Sequence, residues 1–411
     1  MMNEILTYLK EQENEIINML CNFVKIPTVN PPGNNYNEMC DLLQIELSKL
    51  ELDVRRINVP DEYLEQKGLD TSYPKINIFA NMDCGCDKTL HINGHYDVVP
   101  ANGENWETDP FNPIVKDGKI FGRGTYDMKG SIVSSIFALK ALKELNRAPK
   151  VNLQLSFTCD EETGGEFGMG YFSQTDNLKA DFAIGEGPSG NYISLGNKGI
   201  IWAEVEVYGQ TAHAAFTCTQ GKNAFERMLE VSKEFLELKN KVIKKATKYK
   251  TVEKEQIHPT IVLGGRSGSG DKINIVPGKS YFTIDRRLIP EETLEEVKQE
   301  IIDIARKLET QDKNFKINVN FLYEDKPIYI DEESSIVKNF NKCMEKVSGK
   351  KSENVLLAGA TDLRYLMKKG IPCIGHSPNG GNFHADNEYV EISSLIEIAA
   401  IYATLFTEYE E

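Results

Sequence analysis

Apolar residues in the first fifty positions recur at helical spacing, and this pattern predicts two helices before any strand. Ile5, Leu9, Ile16 and Leu20 carry the first pattern, and NPPG at 30–33 interrupts it. A second helical pattern runs from about Tyr36 to Leu50. The chain is therefore expected to begin with helices that pack on a later sheet.

Short β-rich runs follow this helical region. They are KINIFANM, TLHINGHYDVV, NLQLSFTCD and DFAIGEG, with a glycine-rich turn and a predicted helix at 130–145 between the second and the third. Alternation of strands with a helix is typical of a mostly parallel sheet. We therefore expect an α/β fold for this part of the chain.

The pattern changes at about Gly196. A strand, a helix at 223–238, two strands, a helix at 291–308 and a last strand follow in the order βαββαβ, which predicts a smaller two-layer domain. The α/β pattern resumes after Glu324. We therefore predict one catalytic domain in two parts, 1–195 and 325–411, interrupted by an inserted domain at 196–324.

Length and composition narrow the possible functions. The chain has 411 residues, with 47 Lys and Arg against 62 Asp and Glu, so its formal net charge is −15. Such a field repels phosphate backbones and anionic lipid, so neither nucleic acid nor a membrane is an expected partner. No apolar run reaches the length of a bilayer span, and acids occur throughout the N-terminal segment, so a cytoplasmic protein is expected. Its eight scattered cysteines are then expected to be free thiols.

Residues that can bind metal follow the predicted strands. His95 and Asp97 close one strand, and three acids at 160–162 close another. The carboxyl ends of strands are where open α/β sheets place their sites. Taken alone, the H-x-D pattern also fits a structural histidine with an acidic partner, and the three acids also fit a solvated loop.

Three more candidates extend this set. Asp127 lies in a glycine-bracketed turn that opens a helix, Glu186 ends another strand, and His384 lies in a glycine-rich loop. Asp127 alone also fits a helix N-cap. Jointly, two histidines and three carboxylates form a nitrogen and oxygen ligand set that suits two divalent ions sharing a bridging carboxylate.

These stretches together resemble the dinuclear zinc amidohydrolases, a family that includes acetylornithine deacetylase, succinyl-diaminopimelate desuccinylase, aminoacylase and glutamate carboxypeptidase. The resemblance rests on NPPG at 30–33, GHYDVVP at 94–100, GRG through DMKG at 122–130, the acids at 160–162 and the split domain order. It covers essentially the whole chain.

The resemblance implies a role for each of these positions. His95 and Glu186 would ligate separate zinc ions, and Asp127 would bridge them. Glu162 and His384 would complete the two shells. Asp97 would orient His95, and Glu161 would be the general base that takes a proton from the attacking water and delivers it to the leaving amine.

The inserted domain carries further marks of this resemblance. His213, in GQTAHA, matches a histidine that reaches the partner subunit's active site in dimeric members and stabilises the oxyanion. Asn274 and Arg287 match positions that bind the substrate carboxylate. A homodimer formed through this domain is thus expected.

A later loop is expected to complete the substrate site. Its predicted contacts are Gly359, Thr361 and Arg364. This loop reads AGAT where many members have two glycines, so a tighter pocket that disfavours long acyl groups is predicted.

We therefore predict a metal-dependent hydrolase that cleaves an amide bond in an N-acyl amino acid bearing a free carboxylate. Zn²⁺ is the expected metal, although Co²⁺ or Mn²⁺ fits the same ligands. The alternative is a dipeptidase or carboxypeptidase that uses the same two ions. A catalytically silent protein and a structural zinc protein fit less well, because the base and the ligands are all present and closed structural sites are usually rich in cysteine.

Overall fold

A computed structural model describes residues 2–103, 105–216 and 221–410 of the chain. The α-helices of these residues are α1 Met2–Glu11, α2 Glu13–Val24, α3 Tyr36–Ser48, α4 Asp61–Gln66, α5 Gly130–Glu144, α6 Ala224–Val242, α7 Leu294–Gln311, α8 Ser335–Ser348, α9 Leu363–Lys368 and α10 Ile392–Glu408. The strands before residue 210 are β1 Asp53–Asn58, β2 Ile76–Met82, β3 Thr89–His95, β4 Ile114–Lys116, β5 Lys119–Phe121, β6 Asn152–Thr158, β7 Phe182–Gly185, β8 Tyr192–Asn197 and β9 Gly199–Tyr208. The later strands are β10 Ala212–His213, β11 Thr260–Ser269, β12 Ile275–Val276, β13 Lys279–Leu288, β14 Lys316–Asp325, β15 Ile328–Tyr329, β16 Glu353–Leu357, β17 Cys373–Gly375, β18 Gly380–Gly381 and β19 Tyr389–Glu391.

The chain divides into two compact units. The larger unit comprises residues 1–195, 330–354 and 361–411, and the inserted unit comprises 196–329 and 355–360. The second boundary of the inserted unit, at 329/330, lies a few residues after the end of β14. The short segment 355–360 belongs to the inserted unit although it is distant in sequence, which the hydrophobic pattern does not reveal.

The larger unit is built around a mixed sheet with the strand order β1-β2-β6-β3-β7-β17-β8. Its central strands β6, β3, β7 and β17 run parallel, and the pairs β1-β2, β2-β6 and β17-β8 are antiparallel. The predicted α/β class with a mostly parallel central sheet is therefore confirmed.

One face of the two middle strands is polar and nonetheless buried. In β3, Leu90, Ile92 and Gly94 alternate with His91, Asn93 and His95, and β6 alternates in the same way. His91 Nε2 lies 2.7 Å from Ser156 Oγ, and Asn93 donates to the same hydroxyl at 3.2 Å. This row of polar side chains ends at His95, so the sheet itself delivers a histidine to its carboxyl edge.

Helices bury the sheet and supply the hydrophobic core of the larger unit. α5 is buried along nearly its whole length and packs against α10, which is also strongly apolar. α3 packs on β1 and β2, and α9 packs on β7 and β17. A helix that is buried on every side explains why the sequence of α5 is apolar without a polar face.

A small antiparallel sheet joins two distant parts of the larger unit. Its order is β18-β19-β5-β4, and Tyr389 pairs with Phe121 across β19 and β5. β5 leads into the turn that contains Asp127, while the loop between β18 and β19 contains His384. The small sheet therefore fixes these two loops to each other.

The inserted unit has the predicted βαββαβ order. Its four antiparallel strands lie in the order β11-β13-β9-β14, and α6 and α7 pack on the sheet over a core that includes Val205, Phe235, Phe282 and Ile301. β13 alternates between buried and less buried residues, as expected for a sheet covered by helices on one face. No helix among the described residues of either unit has the length and apolarity needed to cross a bilayer.

Candidate metal centre

The predicted ligands of the larger unit all lie at strand ends or in loops. His95 is the last residue of β3, and Glu186 directly follows β7. Glu161 and Glu162 lie in a short 3₁₀ turn after β6, Asp127 lies in the turn before α5, and His384 lies between β18 and β19. The fold thus brings residues from 95 to 384 to one place.

Asp127 lies between the two histidines. Its Oδ1 is 3.0 Å from His95 Nε2, and its Oδ2 is 3.1 Å from His384 Nε2. His384 Nε2 is also 2.9 Å from Glu162 Oε2. One carboxylate that faces two imidazoles through its two oxygens has the arrangement needed to bridge two cations.

Two overlapping groups of ligand atoms surround His95. One atom from each of His95, Glu161 and Glu186 lies within 4.8 Å of the others, and the same holds for His95, Asp127 and Glu162. The resemblance assigned His95 and Glu186 to separate ions. The first group contains both His95 and Glu186, and His95 also belongs to the second group, so this arrangement does not separate His95 from Glu186.

The donor atoms of this cluster fit divalent cations. Glu162 Oε1 and Glu186 Oε2 are buried and accept no hydrogen bond from the described part of the chain. Buried carboxylate oxygens without a partner are costly, and several acids in one buried place repel one another. Cations coordinated here would remove both penalties, so the residues present suit a metal centre made of imidazole and carboxylate ligands.

Burial and mutual repulsion shift the pKa values of these groups. Burial raises the pKa of Glu186 to about 8, with a further contribution from Asp127, and it raises that of Glu161 well above its ordinary value, with a further contribution from Glu186. Hydrogen bonds to Asp127 and Glu162 raise the pKa of His384 to about 10. Burial opposes ionisation of Asp127, yet hydrogen bonds from His384 and His95 lower the pKa of that carboxyl overall.

These shifts predict that the metal-stripped protein loses stability as the pH rises. Glu186 and His384 both have folded pKa values above their ordinary values of 4.5 and 6.5. Each therefore stabilises the fold fully below its ordinary value and loses that contribution as the pH passes its folded value. Thermal unfolding of chelator-treated protein should give a lower Tm at pH 9 than at pH 5.5. The Tm of zinc-loaded protein should not fall in this way, because the cations replace the protons. An equal dependence of Tm on pH in both forms would contradict the assignment of this cluster as a metal centre.

Asp97 holds the turn that carries the two glutamates. Its carboxylate accepts backbone N–H bonds from Glu161 and Glu162, both at 3.2 Å, and a side-chain bond from Asn30 at 2.8 Å. His95 Nδ1 lies 3.0 Å from the Asp97 carbonyl oxygen and 3.4 Å from Asp97 Oδ1. Asp97 therefore contacts His95, as the resemblance implied, and in addition supports the proposed base.

Glu388 is a buried residue of the site that sequence reasoning missed. Its Oε1 accepts the backbone N–H groups of Tyr126 and Asp127 at 2.9 and 3.1 Å, and its Oε2 accepts Gly124 N–H at 3.1 Å. Arg123 Nη1 donates to Oε2 at 2.6 Å, and both side chains are almost fully buried. The carboxylate therefore holds the turn that presents Asp127.

The same pair extends to the histidine loop. Arg123 Nη2 donates to the carbonyl oxygen of Ala385, the residue after His384, at 3.2 Å. Trp106 lies over the Arg123 guanidinium, with 5.4 Å between the ring centroid and Cζ. Arg123 and Glu388 thus connect the loops of Asp127 and His384. The only signal in the sequence was an acid four residues after His384.

The inserted unit brings two of its predicted residues together. His213 on β10 pairs with Ile275 on β12, next to Asn274, and the Asn274 carbonyl oxygen accepts Ala214 N–H at 3.0 Å. His213 Nδ1 accepts Ala215 N–H at 3.2 Å. His213 therefore lies on β10, and Asn274 directly precedes the strand β12 that pairs with it.

The two arginines at the end of β13 have different environments. Arg287 donates from Nε and Nη2 to the two carboxylate oxygens of Asp285 at 2.8 and 3.0 Å. Arg286 is buried and forms an ion pair with Glu292. Each of the two arginines therefore has an acidic partner, and Arg287 is the more exposed one.

The remaining predicted contacts lie on both sides of the boundary between the units. Gly359 belongs to the inserted unit and is exposed, whereas Thr361 and Arg364 are buried in the larger unit. Arg364 donates to the carbonyl oxygens of Thr361 and Gly164. Arg364 therefore holds the loop that follows Glu162.

The other histidines and the described cysteines have structural environments. His91 and His376 are buried, and His258 Nδ1 lies 2.7 Å from the Lys245 carbonyl oxygen. Seven cysteines are free thiols, in agreement with expectation, and Cys218 lies outside the described residues. Cys84 and Cys86 lie in a loop, where their backbone N–H groups donate to Asn152 Oδ1.

Comparison with known proteins agrees with this architecture. An uncharacterized metallohydrolase of Methanocaldococcus jannaschii is 29% identical over 94% of this chain and 98% of its own length. The succinyl-diaminopimelate desuccinylase of Buchnera aphidicola is 26% identical over 92% of this chain and 94% of its own. A crystal structure of an M20 family metallo-carboxypeptidase from Sulfolobus solfataricus superposes with a TM-score of 0.72 at 23% identity, covering 96% of this chain and 99% of that one.

The sequence profile of Peptidase family M20/M25/M40 matches residues 91–408, which is most of the chain. The matched range contains His95, Asp127, Glu162, Glu186 and His384. It begins after the NPPG segment and after β2. The chain is therefore a member of the M20/M25/M40 peptidase family and a metallohydrolase that acts on C–N bonds.

Proposed function

We propose that this protein hydrolyses the amide bond of N-acyl amino acids, in the manner of acetylornithine deacetylase or succinyl-diaminopimelate desuccinylase. The observation that carries the proposal is Asp127 between His95 and His384, with Glu161 beside His95. The ligands proposed are His95, Glu186, Glu162 and His384, with Asp127 shared between two ions. Zn²⁺ is the proposed metal, and Co²⁺ or Mn²⁺ suits the same donors.

The proposed chemistry divides between the cations and the chain. Two divalent cations, when bound, lower the pKa of the attacking water and stabilise the negative charge that develops on the carbonyl oxygen. Glu161 accepts the proton of that water and delivers it to the departing amine nitrogen as the C–N bond breaks. A raised pKa suits this double role, because the carboxyl must hold a proton between the two steps.

The inserted unit is proposed to bind the substrate's ends. Arg287 and Asn274 are proposed to bind the free carboxylate of the substrate, and His213 would donate to the oxyanion. Gly359, Thr361 and Arg364 are proposed to line the acyl side. Arg287 now donates to both carboxylate oxygens of Asp285, so a substrate carboxylate would replace or share this partner.

Arg287→Ala should raise KM for substrates with a free carboxylate by about 10- to 100-fold, because a bidentate charge-assisted contact is lost. Esterified analogues of the same substrates should be affected far less. Steady-state kinetics on matched acid and ester pairs measures this difference. Equal losses on both members of a pair would remove Arg287 from carboxylate recognition.

A dipeptidase or carboxypeptidase that uses the same centre is the second candidate, favoured by the likeness to the solved metallo-carboxypeptidase fold. Chelator-stripped protein reloaded with Zn²⁺ or Co²⁺ should be tested on N-acetylornithine, N-succinyl-diaminopimelate, N-acetylated neutral amino acids and simple dipeptides. Preference for acylated amines supports the deacylase, whereas cleavage of peptides with a free α-amine supports the peptidase. Failure of fully metallated protein on the whole panel would contradict both.

A homodimer is proposed through the inserted unit, and an exposed apolar stripe on α6 supports it. Phe225, Leu229 and Leu236 are 42, 54 and 49% exposed and share one helix face, and the edge strand β11 exposes Val262 at 57%. Leu229→Glu combined with Leu236→Glu should therefore convert a dimer into a monomer. Multi-angle light scattering measures the mass; a monomeric parent protein, or an unchanged dimer in the variant, would contradict this interface.

We also propose a cytoplasmic location, because reducing compartments preserve free thiols.

A further inference from the structure

A buried lysine lies next to the turn that carries the proposed base. Lys75 precedes β2, its side chain is 6% exposed, and its Nζ lies 3.2 Å from Asp160 Oδ1. Nζ also donates to Asn30 Oδ1 at 3.3 Å and to the Pro32 carbonyl oxygen at 3.5 Å. The ammonium group lies over the Tyr36 ring, 5.4 Å from its centroid. Every donor of this buried cation therefore has a partner within the larger unit.

Asp160 connects the lysine to the glutamate turn. Its Oδ1 accepts the Thr163 hydroxyl at 2.7 Å, and its Oδ2 accepts Phe167 N–H at 3.1 Å. Its backbone has a φ of 75°, a left-handed conformation that a residue other than glycine seldom adopts, and its carbonyl oxygen accepts the N–H groups of Thr163 and Gly165. The first of the three consecutive acids is thus no metal ligand but the anchor of the turn.

Asn30 connects the lysine to the same turn from the other side. Its Oδ1 accepts from Lys75, while its Nδ2 donates to Asp97 Oδ2 at 2.8 Å and to Thr163 Oγ1 at 3.0 Å. Asp97 in turn accepts the backbone N–H groups of Glu161 and Glu162. Hydrogen bonds therefore run from Lys75 through two routes to the backbone of the proposed base.

The charges explain why a lysine occupies this position. Asp97 and Asp160 are two buried acids that hold one short turn, and each accepts hydrogen bonds from groups of that turn or next to it. Two buried negative charges need a compensating cation, and removing one partner of a buried pair is strongly destabilising. Lys75 supplies that charge directly to Asp160 and through the amide of Asn30 to Asp97.

We propose that Lys75 and Asn30 are positioning residues for Glu161, holding its carboxylate where it can exchange a proton with water and amine. This inference rests on the proposed function, in which Glu161 is the base. Both residues precede residue 91, where the family match begins, so they extend the site beyond the matched range. The NPPG segment thereby acquires a role, since its asparagine carries one of the two routes.

Lys75→Met tests the proposal, because methionine keeps the unbranched stem and removes the charge. We expect kcat, measured at saturating metal, to fall about 10- to 100-fold with KM within about threefold, the magnitude seen when supporting residues of a site are removed. In a Glu161→Gln background the same substitution should cause no further loss. A loss of equal size in that background would show a general structural role and overturn the proposal.

Two further variants keep this test decisive. Lys88→Met is the matched control, because Lys88 also precedes a strand and pairs with an aspartate, Asp181, but is 42% exposed; its kcat should not change. Thr163→Val removes the hydroxyl that joins Asn30 and Asp160 and is the milder variant if Lys75→Met fails to fold. Thr163→Val should also lower kcat while KM stays nearly unchanged, and it should cause no further loss in the Glu161→Gln background. An unchanged kcat in Thr163→Val would overturn the proposal.

Hydrogen exchange separates this inference from the proposed function. Amides of residues 160–165 should exchange faster in Lys75→Met and in Thr163→Val than in the parent or in Lys88→Met, whatever the substrate is. Unchanged exchange would reject the positioning network itself. Faster exchange with wild-type turnover in Glu161→Gln would keep the network and reject Glu161 as the base.

Discussion

Glu161→Gln should lower turnover by about two to four orders of magnitude while both metal ions stay bound. General acid–base catalysis contributes about that factor, and glutamine keeps the size of the side chain but cannot hold the transferred proton. In the chain without cations, burial and the charge of Glu186 raise the pKa of this carboxyl. Single-turnover kinetics with metal analysis on the same sample measures both quantities.

Glu162→Gln is the matched comparison for that experiment. Glu162 neighbours Glu161 in the same turn, but its Oε2 lies 2.9 Å from His384 and its Oε1 is buried without a hydrogen-bond partner among the described residues. We expect Glu162→Gln to bind less metal than the parent, while its turnover per bound metal ion stays close to the parent value. If Glu161→Gln lost metal and Glu162→Gln did not, the roles of the two neighbours would have to be exchanged.

Glu388→Gln should weaken metal binding by about 10- to 100-fold, although Glu388 contacts no proposed ligand atom. Residues that orient a metal ligand typically contribute this much. Glutamine keeps only one acceptor oxygen, so its NH₂ group would face either Arg123 and the Gly124 N–H or the N–H groups of Tyr126 and Asp127, and it cannot accept from them. Asp127 would then present its two oxygens less accurately. Competition with a chromophoric chelator measures the affinity.

The control for Glu388 is Glu391→Gln, three residues further along the chain at the end of β19. Glu391 is partly exposed in β19, and its replacement should leave the metal affinity unchanged. Because losing a buried ion pair also destabilises the fold, the Tm of each stripped variant must be compared with that of the parent. The metal affinity of Glu388→Gln should therefore also be measured at temperatures well below its Tm. An affinity that returns to the parent value there would indicate partial unfolding and would contradict the positioning of Asp127.

The sequence predicted those parts of the site that depend on strand ends. His95 and Glu186 were expected there because apolar runs stop at those residues, and parallel strands bring their carboxyl ends to one edge. Asp127 was expected because glycines bracket it. In each case a residue that can bind metal stands at the end of a strand or in a turn that the sequence itself reveals. A local sequence pattern is therefore enough to predict these ligands.

Other parts of the site depend on long-range contacts that leave no periodic signal. Glu388 hydrogen-bonds to backbone groups 261 to 264 residues away, and Lys75 reaches Asp160 over 85 residues. The approach of Glu186 to His95 depends on the neighbouring strands β3 and β7, and a motif cannot show which side chains lie together. The segment 355–360 joins the inserted unit for the same reason, since only the three-dimensional contacts assign it.

The pairing of β19 with β5 has a consequence for synthesis of the chain. His384 and Glu388 follow Asp127 by more than 250 residues, and at about 5 to 20 residues per second the ribosome needs roughly 13 to 50 s to make that interval. During this time Asp127 lacks both its histidine neighbour and the carboxylate that holds its turn. Until the end of this interval a nascent chain lacks His384, one of the five proposed ligands, so tight retention of two ions would indicate that translation has passed residue 388.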